Sequence, residues 1–347
     1  MRIGLIGAGS IANLRRRAID NTSDAIFAGV FDLDPAKANA LAGDARVYDS
    51  ADALLSDPEI DAVTICTPPD SHEDIAITAL NAGKHVIVEK PMANTLEGCR
   101  RMIEKSRETN RILTIGFNHR YFPAIKELKA AIASGAIGRL SYVRGFTGHT
   151  GLSEFKSPWM YSKDVMGGGT LFDNGIHLID LVQYIMGGAT SVYGQTTSAI
   201  WQLDRVEDNA FAILTGKNNV IGTLHSSWTE WKGYHFCVEA YGDRGMARAY
   251  YAPMQFSLIT MEKPGGRPIR KRNFYLPSIL REKLYGWEYT AAKTLSEEIA
   301  DFISLANGQQ PVGPIAHAED GYRSIEISNS IYHANENKCS VQLTQSI

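Results

Sequence analysis

Arg2-Ile3-Gly4-Leu5-Ile6-Gly7-Ala8-Gly9-Ser10-Ile11-Ala12 decides the fold: an apolar run stops on glycines and a helical stretch begins at once. In Gly7-x-Gly9-x-x-Ala12 the missing side chains let the backbone approach a pyrophosphate held at the helix N-terminus. The pattern is weak alone and gains weight from the second apolar run, Ile26–Phe31, which ends in Asp32. A carboxylate there accepts hydrogen bonds from an adenosine ribose and repels a 2′-phosphate, so the spacing favours NAD over NADP. The plainer alternative is that Asp32, with Asp34-Pro35, only caps the next helix.

Outward from this turn, Ala62–Cys66 is a third apolar run, and Ser71–Asn81 has helical spacing that Gly83 stops. A strand at 85–89, a helix over Thr95–Asn110 and a strand over Ile112–Phe117 follow. Alternating strand and helix calls for a parallel sheet covered on both faces, a Rossmann-like pattern. After Arg120 the rhythm changes. A helix near 121–134 ends at Gly135, and alternating runs follow at 139–147, 190–202, 207–215, 219–229, 234–241 and 246–260. These read as a largely antiparallel sheet open on one face, with helices at 169–186, 288–306 and 316–336 packed elsewhere. The expected class is α/β: an N-terminal Rossmann dinucleotide-binding domain over 1–119, then a C-terminal α+β domain over 120–347 with a large open, mostly antiparallel sheet.

A chain of 347 residues exceeds what one hydrophobic core organises, and 44% apolar composition can bury two. A net charge of -3 and a pI of about 6.3 argue against a general polyanion-binding surface. Arg15-Arg16-Arg17 reads as the solvated face of the first helix. Arg267, Arg270, Lys271 and Arg272 read as an exposed loop, or as a contact for an anionic substrate. Cys66, Cys99, Cys237 and Cys339 stand singly with no metal or redox spacing, so free thiols in a reducing compartment and no structural metal are expected. The first strand begins at Arg2, leaving no room for a signal peptide, and no apolar stretch approaches the roughly 18 residues that span a bilayer. A cytoplasmic location follows as an expectation.

Thr67-Pro68-Pro69-Asp70-Ser71-His72 follows the third run, at the strand edge where ligands bind in open α/β sheets. Prolines there stiffen a turn and remove amide donors, which suits a wall against a flat ring or a ribose, or simply a rigid turn capped by Asp70 or Ser71. Glu89 and Lys90 end the strand at 85–89 and face opposite ways, so one can anchor the sheet while the other reaches outward. Lysines at strand ends are usually only solvated, but Pro91 fixes the backbone where this one must be aimed. In Gly167-Gly168-Gly169-Thr170-Leu171-Phe172-Asp173-Asn174-Gly175-Ile176-His177, Asp173 and His177 share a helical face. Such a pair is often a surface ion pair, and a metal site would need further ligands that are not evident. Trp159, Trp201, Trp228, Trp231 and Trp287, with Tyr161 and Tyr234, offer apolar faces for sugar C–H surfaces or fill core and interface.

Taken in order, the glycine turn, Thr67–His72, Gly83-Lys84-His85-Val86-Ile87-Val88-Glu89-Lys90-Pro91 and Gly168–His177 make the chain resemble the Gfo/Idh/MocA oxidoreductases, which include glucose-fructose oxidoreductase and inositol dehydrogenase. The resemblance implies a catalytic set of Lys90, Asp173 and His177 and a cis Lys90–Pro91 bond. Cofactor contacts are expected from Gly7, Gly9, Ser10, Ile11, Ala12, Asp32, Thr67, Pro68, Pro69, His72, Glu89 and Lys90. Substrate contacts are expected from Lys90, Arg120, Trp159, Asp173, Asn174 and His177. Asn118-His119-Arg120-Tyr121-Phe122-Pro123 is similar to the family's interdomain segment, and Met160 after Trp159 departs from the arginine that many relatives carry.

The implied activity is NAD-dependent oxidation of a ring secondary alcohol on a sugar, cyclitol or derivative of one. His177 would be the base, its ordinary pKa of about 6.5 lying near working pH. Asp173 would orient the imidazole, and Lys90 would hold the substrate oxygen and stabilise developing negative charge. A glycosidase acting through transient oxidation, and a non-catalytic cofactor-sensing regulator, are the alternatives; a sensor needs no proton acceptor. The resemblance also implies a homodimer or homotetramer built through the open sheet, while the charge balance and the short apolar stretches argue for no nucleic-acid or membrane partner.

Overall fold

A computed structural model describes residues 1–153 and 157–344; the last residues of the expected second domain lie outside it. The first part of the chain runs β1 (Arg2–Ile6), α1 (Ser10–Asp20), β2 (Ile26–Phe31), α2 (Pro35–Ala42), β3 (Arg46–Val47), α3 (Ala51–Ser56), β4 (Ala62–Ile65), α4 (His72–Asn81), β5 (His85–Val88), α5 (Leu96–Thr109) and β6 (Leu113–Ile115). Next come α6 (Pro123–Ala133), β7 (Leu140–Gly148), α7 (Lys163–Met166), α8 (Gly175–Met186), β8 (Ala189–Thr197), β9 (Asn209–Gly216), β10 (Ile221–Ser227), β11 (His235–Gly242), β12 (Gly245–Tyr251), β13 (Gln255–Thr260) and β14 (Ile269–Phe274). The chain ends with α9 (Leu276–Tyr285), α10 (Glu288–Ala306), β15 (Ala316–His317), α11 (Ala318–Asn337) and β16 (Val341–Gln342).

The chain divides into two compact units: Met1–Tyr121 with Glu282–Tyr322, and Phe122–Arg281 with the chain from Arg323 onward. A single break at 119/120 therefore does not describe the molecule, because residues 282–322 return to the first unit. The cause is apolar: Ala291, Leu295, Ile299 and Phe302 of α10 bury themselves in the same core as Ile3, Leu5, Ala12 and Ala18.

In the first unit the strand order is β15-β6-β5-β4-β1-β2-β3, parallel except for the short antiparallel edge strand β15. β4 and β5 are almost wholly buried, as strands covered on both faces must be. The order reverses between β1 and β4, so the crevice outside their carboxyl ends is the switch point where such sheets bind ligands.

In the second unit nine strands run β14-β13-β12-β11-β7-β10-β9-β8-β16. The β7–β10 pair is parallel and the other neighbours are antiparallel. α8 covers one face closely: a Cβ on Gly145 would lie 2.7 Å from Val182, and one on Gly222 would lie 2.4 Å from the Met186 sulfur. The opposite face leaves Tyr142, Phe211, Ile213 and Ile221 substantially exposed. The run expected at 246–260 is two strands, β12 and β13, turning through Ala252-Pro253. Of the basic stretch, Arg267 lies in an exposed loop as expected, but Arg270, Lys271 and Arg272 lie on the exposed edge strand β14, with the Lys271 amine 3.1 Å from Glu127. Among the described residues no helix is long and apolar enough to cross a membrane.

Candidate active site

The glycine turn fits a dinucleotide. Gly7 takes the left-handed region at φ 94°, and a Cβ there would sit 2.8 Å from the Cys66 carbonyl carbon, so only glycine fits against the neighbouring strand end. Gly9 is the converse: a Cβ would meet nothing within 4 Å, and the open space lies at the entrance to α1. That helix starts with no side-chain cap, leaving first-turn amides for an anion, whereas α2, α3 and α5 are capped by Asp34, Ser50 and Thr95. Ser10 is exposed at the helix start, while Ile11 packs partly against the core and Ala12 is fully buried. Asp32 accepts from the Ala8 amide at 2.6 Å and the Asp34 amide at 2.7 Å, so its carboxylate is held at the turn. The α2 cap is Asp34, which accepts from Ala36, and not Asp32.

Two further turns converge on the carboxyl ends of β4 and β5. The Ser71 hydroxyl lies 2.7 Å from Thr67 Oγ1 and 2.8 Å from the Pro68 carbonyl, tightening the proline turn. His72 is wholly buried, with Nε2 2.8 Å from the Thr67 carbonyl and Nδ1 3.0 Å from that of Pro91. It thus joins two turns through backbone instead of presenting its ring to a ligand. The Lys90–Pro91 bond is cis, and Lys90 is partly exposed. Burial of the ring and, second, the nearby Lys90 ammonium push His119 down to about 3, so that imidazole is neutral.

Glu89, expected at the cofactor, is buried and bound to Arg15, whose Nε lies 2.6 Å from Glu89 Oε1. Arg15 is correspondingly not on a solvated face: it is fully buried, and its Nη1 lies 2.5 Å from Glu298 Oε2 on α10. Burial alone would lower the guanidinium pKa, but Glu89 and Glu298 outweigh it and hold it well above its ordinary value. Burial, opposed by Arg15 and aided by Glu89, pushes Glu298 up to about 7. Arg17 keeps the surface role, paired with Glu288, whereas Arg16 is half-buried over the Phe27 ring, with Nε paired to Asp20 and Nη1 donating to the Leu41 and Ala42 carbonyls.

In the second unit, Gly167–Asn174 is a set of turns and α8 starts only at Gly175. Asp173 therefore precedes the helix, and His177 lies in its first turn, both nearly buried. The turns are shaped by Glu207, a buried carboxylate that accepts from the Gly169 amide at 3.0 Å, the Leu171 amide at 2.8 Å and the Tyr332 hydroxyl at 2.8 Å. Burial raises the Glu207 pKa despite those donors. A Cβ on Gly169 would lie 2.1 Å from the Glu207 carbonyl oxygen and one on Gly168 2.0 Å from the Tyr332 hydroxyl, which is why the loop carries glycines.

Asp173 is held by two residues that the spacing did not reveal. His149 Nε2 lies 2.8 Å from Asp173 Oδ2, and Trp228 Nε1 donates to the same oxygen at 3.0 Å. His149 Nδ1 accepts from the Gly151 amide at 3.0 Å, so the ring proton of the neutral form sits on Nε2 and points at the carboxylate. These partners come from the loop after β7 and from the residue following β10, whose parallel register brings two distant strand ends side by side. Trp201 donates to the Trp228 carbonyl at 2.9 Å and stands edge-on to the exposed Trp231 at 6.0 Å, forming an aromatic wall in this unit.

Asn174 occupies the N-cap of α8 without a capping hydrogen bond, and Trp159 is partly exposed on a short turn. Arg120 is a different case. It is buried, with its guanidinium 3.1 Å from Asp320 and 3.4 Å from the Ile315 carbonyl, contacts that lock the first unit's own edge.

Residues 1–117 match the model of the GFO/IDH/MocA oxidoreductase family with an NAD-binding Rossmann fold, and residues 125–248 match the GFO/IDH/MocA C-terminal domain. The chain is 27% identical to a myo-inositol 2-dehydrogenase of Thermotoga maritima over 354 residues, covering 100% of both. It is 34% identical to a D-glucoside 3-dehydrogenase of Escherichia coli over 194 residues, 54% of each. A levoglucosan dehydrogenase structure in complex with NADH superposes with a TM-score of 0.87 at 23% identity over 99% of both chains. A putative myo-inositol dehydrogenase from Sinorhizobium meliloti gives 0.79 at 25% identity over 99% of this chain and 100% of the other. With both of its domains matched in order, the chain belongs to the GFO/IDH/MocA family of NAD-binding oxidoreductases.

Proposed function

We propose that the protein is an NAD-dependent dehydrogenase that oxidises a ring secondary alcohol of a sugar, cyclitol or sugar derivative. The observation that carries this reading is the buried Asp173 carboxylate, fixed by two N–H donors immediately before the helix that bears His177. A cofactor sensor would have no use for such a carboxylate beside a proton acceptor.

The glycine turn, the α1 amides, Asp32 and the Thr67–Pro69 turn are the groups that would hold NAD, and bound NAD supplies the hydride acceptor. Within the chain, His177 takes the hydroxyl proton, Asp173 orients and electrostatically supports that imidazole, and Lys90 holds the substrate oxygen. Names of relatives support a polyol: they include inositol, levoglucosan and glucoside dehydrogenases. The open sheet face, with Tyr142, Phe211, Ile213 and Ile221 exposed, supports a homo-oligomer, since patches of this kind on strands are normally covered.

The test is a panel of sugars, inositols and their oxidised forms, followed at the nicotinamide absorbance with NAD(H) and NADP(H) in parallel. An active polyol with NAD is expected. With that substrate, His177→Ala should lower kcat by about 10²–10⁴ while NAD affinity barely changes. Unchanged turnover in the variant overturns the assignment of the base.

A further inference from the structure

The corner Glu89-Lys90-Pro91 is fixed on both sides of the lysine. On one side, the Glu89 carboxylate is bound by Arg15 at 2.6 Å, and Arg15 also reaches Glu298 at 2.5 Å. The fit leaves no slack: a Cβ on Gly116 would lie 2.5 Å from Arg15 Nη2 and 3.0 Å from Glu89 Oε2. A guanidinium fork can serve two carboxylates at once, which a lysine ammonium at this depth cannot reproduce. On the other side, the Pro91 carbonyl lies 3.0 Å from His72 Nδ1, while Nε2 of the same buried ring lies 2.8 Å from the Thr67 carbonyl.

Both clamps originate in elements that the cofactor would touch. Arg15 sits on α1, the helix opened by the glycine turn, and His72 begins α4 directly after the Thr67–Ser71 turn. We propose that Arg15 and His72 are positioning residues for Lys90: they hold the Glu89 side chain and the Pro91 carbonyl on either side of it and couple its aim to the two turns that hold the dinucleotide. This rests on the reading of Lys90 as the group that holds the substrate oxygen. A merely structural role, tying α1 and α4 to the sheet, predicts a different outcome in the following cycle.

Arg15→Lys, His72→Gln, Lys90→Met and the two double variants are assayed as full chains with NAD and the most active polyol of the panel, with NAD binding measured by calorimetry. Arg15→Lys and His72→Gln should each lower kcat by about 10- to 100-fold with little change in NAD Kd, because small misplacements of a reacting group cost that much. In the Lys90→Met background the same substitutions should cost less than about twofold more, because residues that act through Lys90 have nothing left to position. Equal losses in both backgrounds, or single variants with full activity, overturn the proposal. Lys90→Met with undiminished kcat instead removes the underlying reading of Lys90, so the two failures are distinguishable. Should Arg15→Lys fail to fold, His72→Gln, whose side-chain amide keeps an N–H donor for one of the two carbonyls, completes the cycle alone.

Discussion

Replacing Glu298 by glutamine should change how the stability of this protein depends on pH. Glu298 is fully buried on α10, and its environment pushes its pKa from 4.5 up to about 7. The charged groups acting on it are Arg15, Glu89 and Arg120, and its Oε1 is buried with no hydrogen-bond partner. Because the folded-state value is raised, the stabilisation that comes with the bound proton is fully present below about 4.5 and is lost as pH rises to about 7. In that window the unfolded chain releases the proton while the folded chain keeps it, and above it both are ionised and the decline stops. A rise from 4.5 to about 7 corresponds to about 3 kcal/mol at ~1.4 kcal/mol per pH unit. Glu298→Gln preserves an oxygen for Arg15 Nη1 and cannot titrate. Urea unfolding followed by circular dichroism between about pH 5 and pH 8 should show the variant gaining on the parent by up to about 3 kcal/mol. Parallel stability curves for the two proteins would refute the placement of a near-neutral proton in this cluster.

Gly9→Ala and Gly169→Ala form a contrasting pair. The first adds a methyl where nothing lies within 4 Å, so Tm should hold while NAD Kd rises; the second drives a Cβ to 2.1 Å from the Glu207 carbonyl and should cost about 1–3 kcal/mol or more of stability. Equal Tm losses would contradict the claim that the space beside Gly9 belongs to a ligand. Trp228→Phe removes an N–H donor to the buried Asp173 Oδ2 and should cost about 1.5–3 kcal/mol in unfolding free energy together with a lower kcat. A stable, fully active variant would deny Trp228 that role. Phe211→Arg, on the exposed sheet face, should reduce the mass measured by light scattering towards that of one chain, and an unchanged mass would exclude this face as the interface.

The alternating pattern of the first unit is legible in β1, β2, β4, β5 and β6 because each is a short apolar run, and β1, β2 and α10 fall where periodicity puts them, whereas the two-residue edge strands β3 and β15 carry no such run and go unread, β15 taking the first residues of the helix expected at 316–336. Local rules failed where a distant partner overrides them. Helical spacing continued back to 169, but Glu207 captures the Gly169 and Leu171 amides and holds Asp173 in a turn before the helix. Likewise the run at 246–260 looked continuous because both halves of the β12–β13 hairpin carry the same alternation, and only Pro253 marked the turn. His149, and the role of the buried Trp228 as a donor to Asp173, escape the sequence for a related reason: the parallel β7–β10 pairing that brings their strand ends together has no signature in the spacing of either strand.

Arg15 is the instructive failure, because its signal was present. Three consecutive arginines suggest a solvated face, yet a helix gives each of three neighbours a different direction, about 100° apart. Arg15 stands three residues from both Ala12 and Ala18, on the stripe that also includes Ile19 and is buried against α10. A cation on a core-facing stripe requires buried carboxylates, and the chain provides Glu89 beside Lys90 and Glu298 on α10. Periodicity therefore does more than place apolar residues: a charge in an apolar phase predicts both its own burial and a partner of opposite sign. Here that partner is the neighbour of the residue proposed to do the chemistry, which ties the packing of the first helix to the geometry of the site.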